Sequence, residues 1–337
     1  MLSKSFWKNA VVFNLVLLLA LVVPAGWNHA AAPTPEEQTA FMDAMNDTKG
    51  AATPRKVSSW LLAIVPPTQY KGAWPEDWIN KVKLNGGSIS WEGAPGRSRI
   101  RVAAFMDQWG YDNFYKPDIE ACKTSSTLEK ALWVTVVPEL RNFFWPEPSC
   151  PPGKNRIVQL LGLNPWNEYD VIVEMWIDPM DLFRPSPDPE VSDHRAEIAV
   201  KSRDGSWIFP SPFVNYSTEK LFVAGRGKGP KSYKDWFRQN AVDSYEAAEQ
   251  KYLVPWTRLG YTYDWGNPRS HFGASEFIIR LHPNGGGQTG GSAKVTYIRA
   301  VKAKDASWSE YFRCRNRRDG INRDVVPDAE INPCAKQ

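Results

Sequence analysis

The stretch Val254–Leu281, VPWTRLGYTYDWGNPRSHFGASEFIIRL, decides the fold. Leu259, Tyr261, Tyr263 and Trp265 place an apolar or aromatic side chain at every second position, with Arg258, Thr262 and Asp264 among the residues between. A period of two is that of a strand with one packed face. Ala274–Leu281 has the same alternation, Phe277, Ile279 and Leu281 against Glu276, Ile278 and Arg280. Gly266, Asn267 and Pro268 supply turn chemistry between the two runs. The stretch predicts an antiparallel hairpin, and it matches no motif of known mechanism.

The segments on either side extend this pattern. Upstream, Ser232–Tyr252 predicts a helix capped by Ser232, with Trp236, Asn240, Tyr245, Ala248 and Tyr252 along one face. Downstream, Ala293–Val301 predicts a strand that would complete a three-strand meander after the glycine-rich run from Asn284. Further strands are expected at Val57–Val65, Arg99–Met106, Leu132–Val137 and Asp170–Asp178, where Glu174 sits among apolar neighbours. Helical turns are expected at Pro75–Val82 and Pro138–Phe144, and Asp107–Lys116 reads as a loop pinned by its own aromatic rings. Thr34-Pro35-Glu36-Glu37 is a helix start, with a Thr cap, Pro in the first turn and Glu three residues after the cap. That helix is expected to end by Asn46.

The expected class is therefore α+β: mainly antiparallel sheet in hairpins or a meander, a few helices, and disulfide-stapled loops. Residues 32–56 form an N-terminal helix and linker, and 57–337 a single globular domain. The proline-rich run from Trp145 offers an internal boundary near 145–155, or a rigid loop. No period of 20–50 residues repeats, which excludes solenoids and propellers.

Residues 1–31 read as a secretory signal, with Lys4 and Lys8 followed by the 14-residue apolar run AVVFNLVLLLALVV. That run is shorter than the roughly 20 residues of a membrane span. An uncleaved anchor is the alternative, and the only route to a membrane. The expected location is secreted or periplasmic. Removing this segment takes two lysines from a net charge of +4. So mild a balance argues against nucleic acid as a partner. The four cysteines, Cys122, Cys150, Cys314 and Cys334, all lie in the exported part and imply two disulfides. The sequence-local pairs, 122–150 and 314–334, are favoured.

Three candidate sites emerge. In the hairpin, Arg258, Tyr263, Asp264, His271 and Glu276 bring an acid, a base, a phenol and a guanidinium together. They suit acid–base chemistry or, alternatively, a cross-strand ion network of Arg258 and Arg280 with Asp264 and Glu276. In the long proline loop, Asp188, Glu190 and Asp193 offer oxygens to calcium, and His194 beside them suits zinc better. The arginines after Trp308 could hold an anion, or form a solvated face. No Gly-x-Ser-x-Gly or His-Glu-x-x-His is present, GRGKGPK from Gly225 lacks the ending of a phosphate loop, and no motif names a cofactor.

Sixteen tryptophans, fourteen of them beyond residue 31, suit both a core and an aromatic cleft. The leading expectation is an exported binding or envelope-associated protein with an aromatic cleft for glycans. A secreted hydrolase with a carboxylate/His site comes second, and a structural partner-binding protein third.

Overall fold

Val171–Ile177, VIVEMWI, is apolar at all but one position, and it lies at the centre of the sheet, paired on both sides. The structure, a computed structural model, describes residues 32–49, 61–65, 89–144, 150–192, 194, 196, 200, 201, 207, 208, 220, 221, 231–283 and 291–312. In chain order the elements begin with α1 (Pro35–Lys49), β1 (Ile100–Met106), α2 (Gln108–Phe114) and α3 (Lys116–Glu120). Next come β2 (Ser126–Leu128), β3 (Trp133–Val136), α4 (Glu139–Asn142), α5 (Lys154–Leu160) and β4 (Val171–Ile177). Short strands follow: β5 (Leu182–Phe183), β6 (Val200–Lys201), β7 (Trp207–Ile208), β8 (Lys220–Leu221) and β9 (Lys231–Ser232). The last elements are α6 (Tyr233–Glu246), β10 (Tyr261–Tyr263), β11 (Phe272–Ser275), β12 (Phe277–Ile279), β13 (His282–Pro283), β14 (Gly291–Lys302) and α7 (Ala306–Phe312).

The main sheet runs β13-β14-β4-β1-β3-β12-β5, with β2 pairing along β14, and its neighbours are antiparallel throughout. The α+β reading with a mainly antiparallel sheet holds. The sheet draws β1 and β3 from before the proline-rich run, and β4, β12 and β14 from after it.

Alternation sorts the side chains onto two faces. On one, Val102, Ala104, Val136, Val173, Met175 and Phe277 build the largest core cluster, covered by Leu62–Val65, Ile119 and Val191. On the other, Ala103, Val137, Ile172 and Val301 pack with Leu140, Ile157 and Trp308 from the helices. Glu174, Thr135, Arg101 and Arg299 share the parity of this second face, so polar groups lie among its apolar ones.

Several local expectations are met. Thr34 N–H donates to Glu37 Oε2 at 2.9 Å and Glu37 N–H to Thr34 Oγ1 at 3.2 Å, a complete capping box. That helix runs on to Lys49, past the expected end at Asn46, because Ala44, Met45 and Thr48 are buried. Others change. Gln108–Phe114 is helical and not a loop, because Asp107 caps it through Gly110 N–H at 2.6 Å. Residues 61–65 form no strand; Ile64 N–H instead donates to Val191 O at 2.8 Å. The expected meander does not form, since β14 pairs with β4 and three strands separate it from β12. Long-range pairing outweighs proximity along the chain there.

Among the described residues no disulfide pair is seen, yet neither Cys122 nor Cys150 is a free thiol. Cys122 follows α3, whose Ile119 packs in the first cluster, while Cys150 packs in the second, across the sheet. Cys314 and Cys334, the arginines beyond Trp308, residues 225–230 of GRGKGPK, Val57–Trp60, Pro75–Val82 and residues 1–31 lie outside the described residues.

Candidate functional site

The hairpin forms, but shorter than its sequence pattern and divided. Tyr261 pairs with Ser275 and Tyr263 with Phe272, across an irregularity in register. Upstream, Arg258 and Gly260 take left-handed backbone angles, φ 62° and 76°, which ends the alternation. At Glu276 the second run breaks: β11 stays with the hairpin, and β12 joins the main sheet.

This division disperses the five hairpin candidates. Asp264, 1% exposed, accepts from Arg156 Nη1 and Nη2 of α5, both at 2.8 Å. Arg258 Nη2 donates to Thr48 O at 2.7 Å, with its guanidinium 5.3 Å from the Tyr245 ring. Tyr263 Oη donates to Asp47 Oδ2 at 2.8 Å. Exposed His271 stacks on the Tyr263 ring at 4.6 Å. These contacts clamp the hairpin to α1 and α5. The expected ion network is replaced accordingly, because Asp264 takes a helix arginine and Arg258 turns to α1. Of the five, Glu276 lines a cavity over the sheet.

That cavity measures about 710 Å³ and opens over the second face of the sheet. Phe105, Trp133 and Trp256 give it aromatic walls, Ala103 and Thr135 form its floor, and α6 forms its rim with Asp243 and Glu246. The strand register explains the floor. Arg299 is level with Glu174, Glu174 with Ala103, and Ala103 with Thr135. Phe277 pairs with Val134, so Glu276 comes level with Thr135. Across five strands the row reads Arg299, Glu174, Ala103, Thr135, Glu276. The small residue in its middle leaves room for the cavity.

The two ends of the row differ in charge. At one, Glu174 is fully buried, with Arg299 Nε at 2.8 Å and Arg101 Nη1 at 3.8 Å. Burial alone would raise its carboxyl, but the guanidiniums of Arg299, Arg101 and Arg141 hold it below the ordinary glutamate range. At the other end, burial pushes Glu276 well above that range, opposed by the nearby Trp256 indole. Neither Glu276 Oε2 nor Trp256 Nε1 completes a hydrogen bond, although both atoms are buried. Behind Thr135, burial lifts Glu139 to about 7, against hydrogen bonds from Ser275 N–H at 3.0 Å, Ser275 Oγ at 2.9 Å and Thr135. A carboxyl kept neutral at the wall of a cavity can donate a hydrogen bond or transfer a proton.

In the acidic loop Asp188 Oδ1 accepts from Glu190 N–H at 3.3 Å, and Glu190 Oε2 from Ser192 N–H at 3.0 Å. His194 Nδ1 lies 2.6 Å from Leu61 O. Asp193 lies outside the described residues, among which no group of three His, Cys, Asp or Glu side chains could hold a metal ion.

Trp133, Trp256, Asp243, Glu246 and Glu139 were missed by sequence reasoning. The only signal near them is the tryptophan abundance, and periodicity does not say which tryptophans meet. No family model, curated protein or solved structure matches this chain.

Proposed function

We propose that the chain is an exported binding protein whose ligand site is the aromatic-walled cavity, with glycans as the ligand class. The observation that carries this is the cavity itself. About 710 Å³ suits a sugar of one or two rings, with half-exposed Trp133 offering a stacking surface, Trp256 backing the wall and Glu276 a polar anchor. The export half of the reading rests on the pattern of residues 1–31. No helix among the described residues is long and apolar enough to cross a membrane. Titrating the exported chain with mono- and disaccharides while following tryptophan fluorescence tests the reading. Saturable quenching that Trp133→Ala abolishes supports it, and no response to any sugar refutes it.

A hydrolytic reading is favoured by one feature, the pair of raised carboxyls, Glu276 and Glu139, on either side of Thr135. Release of reducing ends from a bound glycan, lost in Glu276→Gln, would replace binding with catalysis.

We infer disulfides that join Cys122 and Cys150 to Cys314 and Cys334. Cys150 packs in one cluster with Trp308 and Phe312, and Cys314 follows Phe312 by two residues. Pairs 150–314 and 122–334 are therefore the natural assignment.

A further inference from the structure

We propose that the cavity selects an organic cation: an ammonium group carried on a sugar or other compact frame. This rests on the cavity being the binding site and adds the charge of what enters it. Among the described residues, four acidic side chains line the cavity, Asp243, Glu246, Glu249 and Glu276, and no Lys, Arg or His does. The chain as a whole carries a net charge of +4, so this concentration of acids runs against the overall balance. Lys251 offsets Glu249 at the mouth, but an anion entering would still meet Asp243 and Glu246 at the rim, whereas a cation would be drawn in.

The walls point the same way. The Trp133 and Trp256 rings have centroids 6.0 Å apart and planes at 88°, which makes a corner of two indoles. Trp236 backs that corner at 6.4 Å from Trp133 and 6.1 Å from Trp256. An ammonium over an indole face is attracted by the ring quadrupole, the more strongly as it loses water. At the mouth the protein already uses this chemistry. Lys251 Nζ lies 2.7 Å from Glu249 and 5.0 Å from the Tyr252 ring, and both of those residues line the cavity. Farther in, Trp256 is 2% exposed and its Nε1 has no hydrogen-bond partner, nor has Glu276 Oε2. A ligand hydroxyl would accept from Trp256 Nε1, and the ammonium would donate to Glu276 Oε2. Burial disfavours the Glu276 anion and holds its carboxyl well above the ordinary glutamate range. An ammonium beside it favours the carboxylate, so binding releases a proton and tightens as pH rises.

The test is calorimetric and fluorescence titration of the exported chain with glucosamine, N-acetylglucosamine, glucose and tetramethylammonium chloride. Glucosamine, tetramethylammonium or both should bind at least about tenfold more tightly than the neutral sugars, and weaken with added salt. Glucosamine alone marks an aminated sugar as the source, and tetramethylammonium alone an alkylammonium. The binding enthalpy should change with the ionisation enthalpy of the buffer, showing proton release. Glu276→Gln should cost about tenfold in affinity for the cation and remove the buffer dependence. Glu246→Gln, at the exposed rim where folding is not at stake, should weaken it a few-fold. Neutral sugars that bind as tightly as glucosamine, and lose binding in Trp133→Ala, would overturn the charge selection and leave the cavity as the site. Binding by no probe, or binding insensitive to Trp133→Ala, Trp133→Phe and Glu276→Gln alike, would overturn both.

Discussion

Asp264 and Glu276 belong to the same hairpin and end in opposite situations. Asp264 is charged and doubly hydrogen-bonded to Arg156, so removing its charge leaves a guanidinium, itself mostly buried, without its counter-ion. Breaking such a pair costs on the order of 3 kcal/mol. Asp264→Asn should therefore lower stability by about that much in urea denaturation while ligand affinity stays unchanged. A folded Asp264→Asn protein of normal stability that no longer binds would return Asp264 to the site. Glu139 gives the pH counterpart. Its folded value of about 7 lies above the ordinary 4.5, so the proton is held more tightly in the native state. The stabilisation this brings is complete below about 4.5 and is lost as pH rises through about 7. Over that window the protein should lose on the order of 3 kcal/mol relative to Glu139→Gln, whose amide does not titrate. Parallel stability curves for the two proteins would show that burial of Glu139 is not felt in folding.

The hairpin and its supports form the smallest unit that places the cavity. Gly273 in β11 lets the strand approach α5: a Cβ there would stand 2.1 Å from Thr262 Oγ1 and 2.5 Å from Leu160 O. Thr262 Oγ1 itself donates to Leu160 O at 2.6 Å, so the crowding falls on the joint between hairpin and helix. Gly273→Ala should cost about 2 kcal/mol by overpacking, and weaken ligand binding as the Thr262 wall shifts. Unchanged stability would mean that the joint yields freely. At the other end of the clamp, Thr34→Ala removes one half of the capping box and should cost about 1 kcal/mol, read by urea denaturation. No change in ligand binding is expected, because no α1 residue lines the cavity.

For the whole molecule, non-reducing peptide maps should join Cys150 to Cys314 and Cys122 to Cys334; a fragment joining Cys122 to Cys150 would contradict their separation by the sheet. Signals carried by neighbouring residues were legible in the sequence: the capping box at Thr34, the strands at 100–106, 133–136 and 171–177, the helix after Ser232, the hairpin turn, and the antiparallel class they imply. Each depends on local hydrogen bonds or on a period of two or 3.6, which a linear pattern records. Glu174 also left a trace, as a lone carboxylate in an apolar run, though not the names of its arginines. Strand order did not show, because β12 and β14 are separated in the chain only by the short β13 but have three strands between them in the sheet. Nor did the cavity, whose walls come from β1, β3, α6 and the residues around Trp256 and Glu276. The sequence by itself determined which segments are strands or helices and that the chain is α+β. Only the tertiary structure decided which acids are paired and which face open space, because burial and register bring together residues that no local period connects.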